Sequence, residues 1–161
     1  MKLSSGWEQS IYVLLILNEL PDGKSINSLA LSERLNTSHS YLKKIIKLLV
    51  NEGLIISTPG KNGGFSLEKP LEEITFYDVF MAVEGRGKIF ASQHLLRNFL
   101  GENEGEKAQK CAVTESLTII EKTLINTLIN TLTSITLENV SKDIKNHYDL
   151  TELQSWVSEN I

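Results

Sequence analysis

The 161-residue sequence is nearly free of cysteine, with Cys111 its one thiol. That excludes an intrachain disulfide and any metal site built from several thiolates of one subunit, and it suits a reducing cytoplasm. Long apolar runs are also missing. The nearest approach is Ile11–Leu17, but Glu8, Asn18 and Glu19 flank it and no small-residue cleavage site follows. It is too short for a membrane span and has the wrong flanks for a secretion signal. Phosphate-cradling loops are absent as well. Gly60-x-x-Gly-Gly64 has no helix pattern after it, and Gly85-Arg86-Gly87 has no strand before it. No nucleophile stands with a paired base, so catalysis is not expected and no catalytic residue is assigned. His39, His94 and His147 are scattered, without a partner at ligand spacing, so no metal site is expected. The one arrangement left open is a site shared across a dimer by Glu8, His94 and Cys111.

Net charge is −4, which alone argues against a nucleic-acid partner, but its distribution argues for one. Residues 1–70 carry eight Lys/Arg against six Asp/Glu, and the remainder carries eight against fourteen. The basic charge gathers in one half, and the acidic half would favour a single docking face on DNA. The hydrophobic fraction of 41% with 22% charged residues is that of a globular chain with a real core.

The most informative stretch runs from Ser38 to Leu67. Leu42, Ile45, Ile46, Leu49 and Val50 recur at i, i+3, i+4, i+7 and i+8, predicting a helix over about 39–52 with one core-facing stripe. Ser40, Lys43, Lys44 and Lys47 fall on its other face, and Gly53 is the expected stop. Two short strands, Leu54–Ser57 and Phe65–Leu67, follow around a glycine-tipped turn that carries Lys61 and Asn62. Upstream, residues about 6–20 predict a helix buried on more than one side, stopped by Pro21-Asp22-Gly23. Ser25 or Asn27 then caps a second helix, Ser28–Leu35. Helix, helix, turn, basic helix and two-stranded wing is the order of a winged helix-turn-helix, whose third helix enters the DNA major groove. A solvated basic face on an ordinary helix is the plainer reading of Lys43, Lys44 and Lys47, and the wing that follows favours DNA.

Beyond Pro70, Thr75 caps a helix over Phe76–Val83. A short helix near 91–100 and a loop precede a long helix from Ala112 to about Ser134. That helix places Leu117, Ile120, Leu124, Leu128 and Leu132 at three- and four-residue steps, with Ile119, Ile125 and Ile129 forming a second stripe. Two apolar faces need two partners, the helix's own domain and a second subunit. Thr136 caps a further helix over 137–145, and Thr151-Glu-Leu-Gln154 has the pattern of a capping box for the next. The expected fold is mainly α with a small β-wing: a winged helix-turn-helix domain at 1–70, a connecting helix and sensor loop at 71–111, and a dimerisation helix with C-terminal helices at 112–161.

Several motifs together resemble the Rrf-two (Rrf2) family of bacterial winged-helix regulators. They are Met1-Lys-Leu-Ser, Ser38-x-Ser-Tyr-Leu, Asn51-Glu-Gly-Leu-Ile, Gly60-x-x-Gly-Gly-Phe, Ile74-Thr-x-x-Asp-Val, Ala82-Val-Glu-Gly and Ile135-Thr-Leu. The resemblance implies a homodimer held by the long helix that binds a near-palindromic operator and represses transcription. By position it implies that Ser38, Ser40 and Lys43 reach base edges, with Tyr41 and Lys44 near the DNA backbone. Lys43 stands where cluster-binding members carry a glutamate, which replaces acceptance from cytosine with donation to guanine or phosphate. Pro59 stands where many members have a wing arginine, leaving Lys61 and Asn62 as the polar wing residues.

Cluster-binding members have three cysteines before the long helix. Here Cys111 alone remains and Thr114 stands where a histidine would follow, so no iron–sulfur cluster or other cofactor is expected. Cys111 is a candidate redox sensor, with Lys107, Lys110 and a helix start favouring its thiolate; the plainer reading is a small packing residue. The signal that modulates activity is left open among redox change, a small-molecule effector and a protein effector, with no membrane partner. The alternative to a DNA-binding repressor is a protein-interaction module controlled by a partner protein, with weak DNA binding.

Overall fold

The computed structural model describes residues 4–60, 63–85, 95–101 and 112–161. Lys61, Asn62, His94, Lys107, Lys110 and Cys111, singled out above, lie outside the described residues.

The nearly continuous apolar run of the first helix, α1 (Ser5–Leu17), is buried on several sides at once. It packs against the third and fourth helices, the wing and the helix that follows Thr136. Ser4, its N-cap, spends its hydroxyl and N–H on Glu84 Oε1, at 2.7 and 2.8 Å, rather than on the helix's own amides. The helix start is thereby tied to the end of α4 (Phe76–Glu84).

Of the two candidate caps for α2 (Ser28–Arg34), Asn27 takes the role, accepting from the N–H groups of Leu29 and Ala30. Asn36, at φ 48°, turns the chain into α3 (His39–Asn51); asparagine tolerates this left-handed region better than most residues. Gly53, at φ 69°, ends α3 as its sequence position implies.

Strands β1 (Ile55–Thr58) and β2 (Gly64–Leu67) pair antiparallel, with Ile55 opposite Leu67 and Thr58 opposite Gly64. The turn between them depends on its glycines. A Cβ on Gly63 would lie 2.2 Å from the Thr58 carbonyl oxygen, and one on Gly64 would lie 2.5 Å from the Ile26 backbone.

Two capping boxes start helices side by side. Thr75 and Asp78 cap α4, and Thr136 and Asn139 cap α7 (Leu137–His147). The Phe76 N–H donates to the Ile135 carbonyl at 3.1 Å and the Leu137 N–H to the Ile74 carbonyl at 2.8 Å, so the segments entering the two helices pair as a short bridge. The last helix, α8 (Thr151–Glu159), corrects one expectation. Thr151 does not cap it: Leu150 is the N-cap, and Thr151 gives its N–H and hydroxyl to the Asp149 carboxylate at 2.9 and 2.6 Å. A stronger acceptor two residues earlier has taken the threonine's capacity.

Met1–Gly85 and Leu132–Ile161 cluster as one compact unit and Arg86–Thr131 as another. The core of the first is formed by Leu14, Ile26, Leu31, Leu42, Leu49, Leu54 and Ile74, joined by Leu137 and Val157 from the C-terminal helices. The second contains α5 (Leu96–Leu100) and nearly all of α6 (Ala112–Thr133), no residue of which is buried.

Candidate nucleic-acid interface

The face of α3 is decided by its periodicity. Leu42, Ile45, Ile46 and Leu49 are buried in the core, while Lys43, Lys44 and Lys47 are exposed. Among the described residues, none of these three lysines is engaged in an ion pair. Three free ammonium groups within two turns make a concentrated positive field on one side of an apolar-backed helix.

At the start of α3, Ser38 and Ser40 are both exposed, and their hydroxyls lie 3.0 Å apart. Ser38 is the N-cap, yet its side chain bonds none of the helix's amides. The first-turn N–H groups are thus left without a side-chain acceptor, and with the two hydroxyls they form a polar helix tip able to donate to a base edge or a phosphate.

Tyr41 behaves differently from its neighbours. It is half-buried and packs against the core, and its hydroxyl is 3.0 Å from where a Cβ on Gly6 would stand. Its ring therefore helps to seat α3 on α1.

His39 was not legible as a site residue, because neither periodicity nor motif marks it. Its Nε2 lies 3.0 Å from the Ser28 hydroxyl, linking the first residue of α3 to the first residue of α2. This hydrogen bond adds a polar tie between the starts of the two helices of the helix-turn-helix.

The wing stands beside this helix. Ile56, Ser57, Thr58 and Pro59 are exposed along β1 and into the turn, and Gly60 adopts φ 117°. The Gly63 N–H closes the turn on the Gly60 carbonyl at 3.0 Å.

The long helix carries the other predicted site. Leu117, Leu128 and Leu132 are half-buried, and Ile120 and Leu124 are 53% and 52% exposed. Thr118, Thr123 and Thr127 turn their hydroxyls onto carbonyls one turn back at 2.8–2.9 Å, which removes polar demand from the helix surface.

No helix among the described residues is long and apolar enough to cross a membrane. Nor do three His, Cys, Asp or Glu residues converge on a common point among them.

Comparison with known proteins agrees with this geometry. The Rrf2 family model, described as an iron-dependent transcriptional regulator, matches residues 3–143. YffB of Lactococcus lactis subsp. lactis (strain IL1403), a candidate HTH-type transcriptional regulator, is 57% identical over 159 residues, 99% of each chain. YwgB of Bacillus subtilis (strain 168), described in the same terms, is 40% identical over 161 residues, all of this chain and 97% of its own. Among solved structures, CymR (YrzC), the global cysteine regulator of B. subtilis, has the same fold at a TM-score of 0.61 and 20% identity, covering 88% of this chain and 97% of that one.

The family description invokes iron, and the donor set here does not fit an iron–sulfur cluster held within one subunit. One thiol per chain supplies one thiolate where such a cluster needs several soft ligands.

Proposed function

Because the chain belongs to the Rrf2 family of transcriptional regulators and has its winged-helix DNA-binding fold, we propose that it acts as a homodimeric repressor on a near-palindromic operator. In this reading residues 1–70 are the DNA-binding domain. Residues 71–111 connect and sense, and 112–161 dimerise and cap. Ser38, Ser40 and Lys43 meet base edges at the start of α3. Lys44 and Lys47 meet phosphates, Lys61 and Asn62 extend the wing toward the adjacent backbone, and Tyr41 seats the helix. Leu117, Ile120, Leu124, Leu128 and Leu132 of α6 pack against their counterparts in the second subunit.

The observation that carries this reading is the division of α3: a fully buried apolar stripe opposite three exposed lysines without ion-pair partners among the described residues. A helix needing only to be soluble gains from pairing its charges with neighbours; unpaired lysines beside a wing suit a polyanion.

The mechanism is population shift. Two recognition helices on a two-fold dimer read half-sites at a fixed spacing, so a signal that alters their separation alters operator affinity. That signal is a small molecule, a protein or a redox change at Cys111.

The test is selection of sheared genomic DNA on the reduced protein, with sequencing of the bound fragments. Enrichment of one near-palindromic site, lost in the Lys43→Ala/Lys47→Ala variant, supports the regulator. No enrichment over that variant would transfer support to a module controlled by a protein partner.

A further inference from the structure

We propose that the cavity between α1, α7 and α8 is a binding site for a small uncharged molecule with a hydrocarbon body about one ring in size and a single hydroxyl group. Its volume is about 200 Å³, and its walls include Leu15 and Ile16 of α1, Ile144 of α7 and Leu153 of α8. An apolar cavity of ~150 Å³ takes up benzene, so this one has room for a ring with one short substituent.

Tyr12, Ser141 and Glu19 interrupt the apolar lining, and they differ in kind; Tyr12 is itself half-exposed. Ser141 is only 6% exposed and makes no side-chain hydrogen bond with any described residue, yet it lines the cavity. Its hydroxyl opens onto the cavity, and a ligand that offers it a hydrogen-bond partner gains a directed contact there.

Glu19, by contrast, is already satisfied. Its Oε1 lies 2.8 Å from Lys145 Nζ, and its Oε2 accepts from Gln154 Nε2 at 3.3 Å. The carboxylate's charge is neutralised within the wall. A cationic ligand would bring in an unpaired charge, and an anionic one would meet the carboxylate, so the site selects a neutral guest.

All three walls belong to the unit that contains the recognition helix, and α8 is further tied to α2 through Arg34, whose Nη1 lies 3.0 Å from Glu152 Oε1. A guest therefore contacts both the scaffold helix α1 and the C-terminal helices packed on it. Any consequence for operator affinity rests on the proposed function, whereas binding itself is measured without DNA.

The test uses the full chain and benzyl alcohol as the probe, followed by methyl resonances and thermal unfolding. The expected result is saturable binding in the millimolar range, with shifts concentrated on the methyls of Leu15, Ile144 and Leu153 and a rise in Tm. Ser141→Ala should weaken binding about five- to tenfold, the loss of one hydrogen bond. Ile144→Phe should abolish it by filling the space. Benzylammonium should bind at least about tenfold more weakly than the alcohol, by the cost of an unpaired buried charge.

Shifts centred elsewhere, or none up to the solubility limit of the alcohol, would overturn the site; mapping on the unaltered chain keeps this decisive whatever the variants do. Tighter binding of benzylammonium would overturn the choice of a neutral guest. Benzyl alcohol binding without any operator binding would count against the proposed function and leave the site standing.

Discussion

Ile26 and Phe65 exchange both of their backbone hydrogen bonds, with the Phe65 N–H at 2.8 Å from the Ile26 carbonyl and the reverse bond at 3.1 Å. The residue that leads into α2 thus acts as a third strand for the wing. The wing is fastened to the helix-turn-helix by this pair as well as by its own hairpin, and Gly64 sits where the two backbones press together.

Gly64→Ala should therefore destabilise the fold by about 1–3 kcal/mol, the range for overpacking against an unyielding backbone. Denaturant midpoints would measure it. A variant as stable as the parent would mean that the bridge between Ile26 and Phe65 opens at little cost.

If Lys44 and Lys47 face phosphates, replacing either by alanine should lower the slope of log affinity against log salt by about one unit. Thermal stability should hardly change, since both side chains are exposed. Operator titrations at several salt concentrations would show this. An unchanged slope with lost discrimination between operator sequences would instead place the lysine on a base edge.

Glu19 makes stability depend on pH. Burial raises its pKa, but the hydrogen bond and charge of Lys145, with Gln154 and Asn18, outweigh that and leave it below the ordinary glutamate value. A carboxyl lowered in the folded state stabilises fully above its unfolded value, and the effect fades as pH falls through the folded value. Tm should accordingly fall more steeply between neutral and acid pH in the parent than in Glu19→Gln, with the two curves converging at the acid end. Parallel curves would remove Glu19 from the account.

Thr75→Ala deletes the acceptor for the Asp78 N–H and the hydroxyl donated to its carboxylate. The expected loss is ~1 kcal/mol, as for other threonine caps. Thr75→Ser, which keeps the oxygen, should recover most of it in the same unfolding experiment.

Leu124→Glu on α6 should convert a dimer to monomer, because a carboxylate in the centre of an apolar seam is left without a partner. Light scattering gives the mass directly. A parent that is already monomeric would end the homodimer reading, and a variant that stays dimeric would move the interface off this stripe.

Much of this architecture was legible because it is written in local periodicity. The five apolar positions from Leu42 to Val50 specify both the helix and its buried face, and the glycines after Pro59 specify the turn. Thr75 and Thr136 were legible as caps, though not the boxes they close with Asp78 and Asn139. The Thr151 pattern misled because Asp149, a better acceptor, stands just upstream. Long-range pairings left no such trace. Neither the bond between His39 and Ser28 nor the ion pair of Glu19 with Lys145 follows any spacing rule, since each joins segments that only the completed fold brings together. The cavity beside Ser141 escaped for the same reason: its walls come from three helices far apart in sequence.

Leu137 and Val157, both essentially inaccessible to solvent, complete a core whose other members lie before Gly85. During synthesis the first eighty-five residues emerge long before these two. A nascent chain that has made all of the recognition helix and wing still lacks part of the interior beneath them. The DNA-reading unit therefore closes late, once Val157 has cleared the ribosome exit tunnel. A ribosome stalled anywhere within α6 would hold a fragment with α3 and the wing already made and without the two residues that complete the core beneath them.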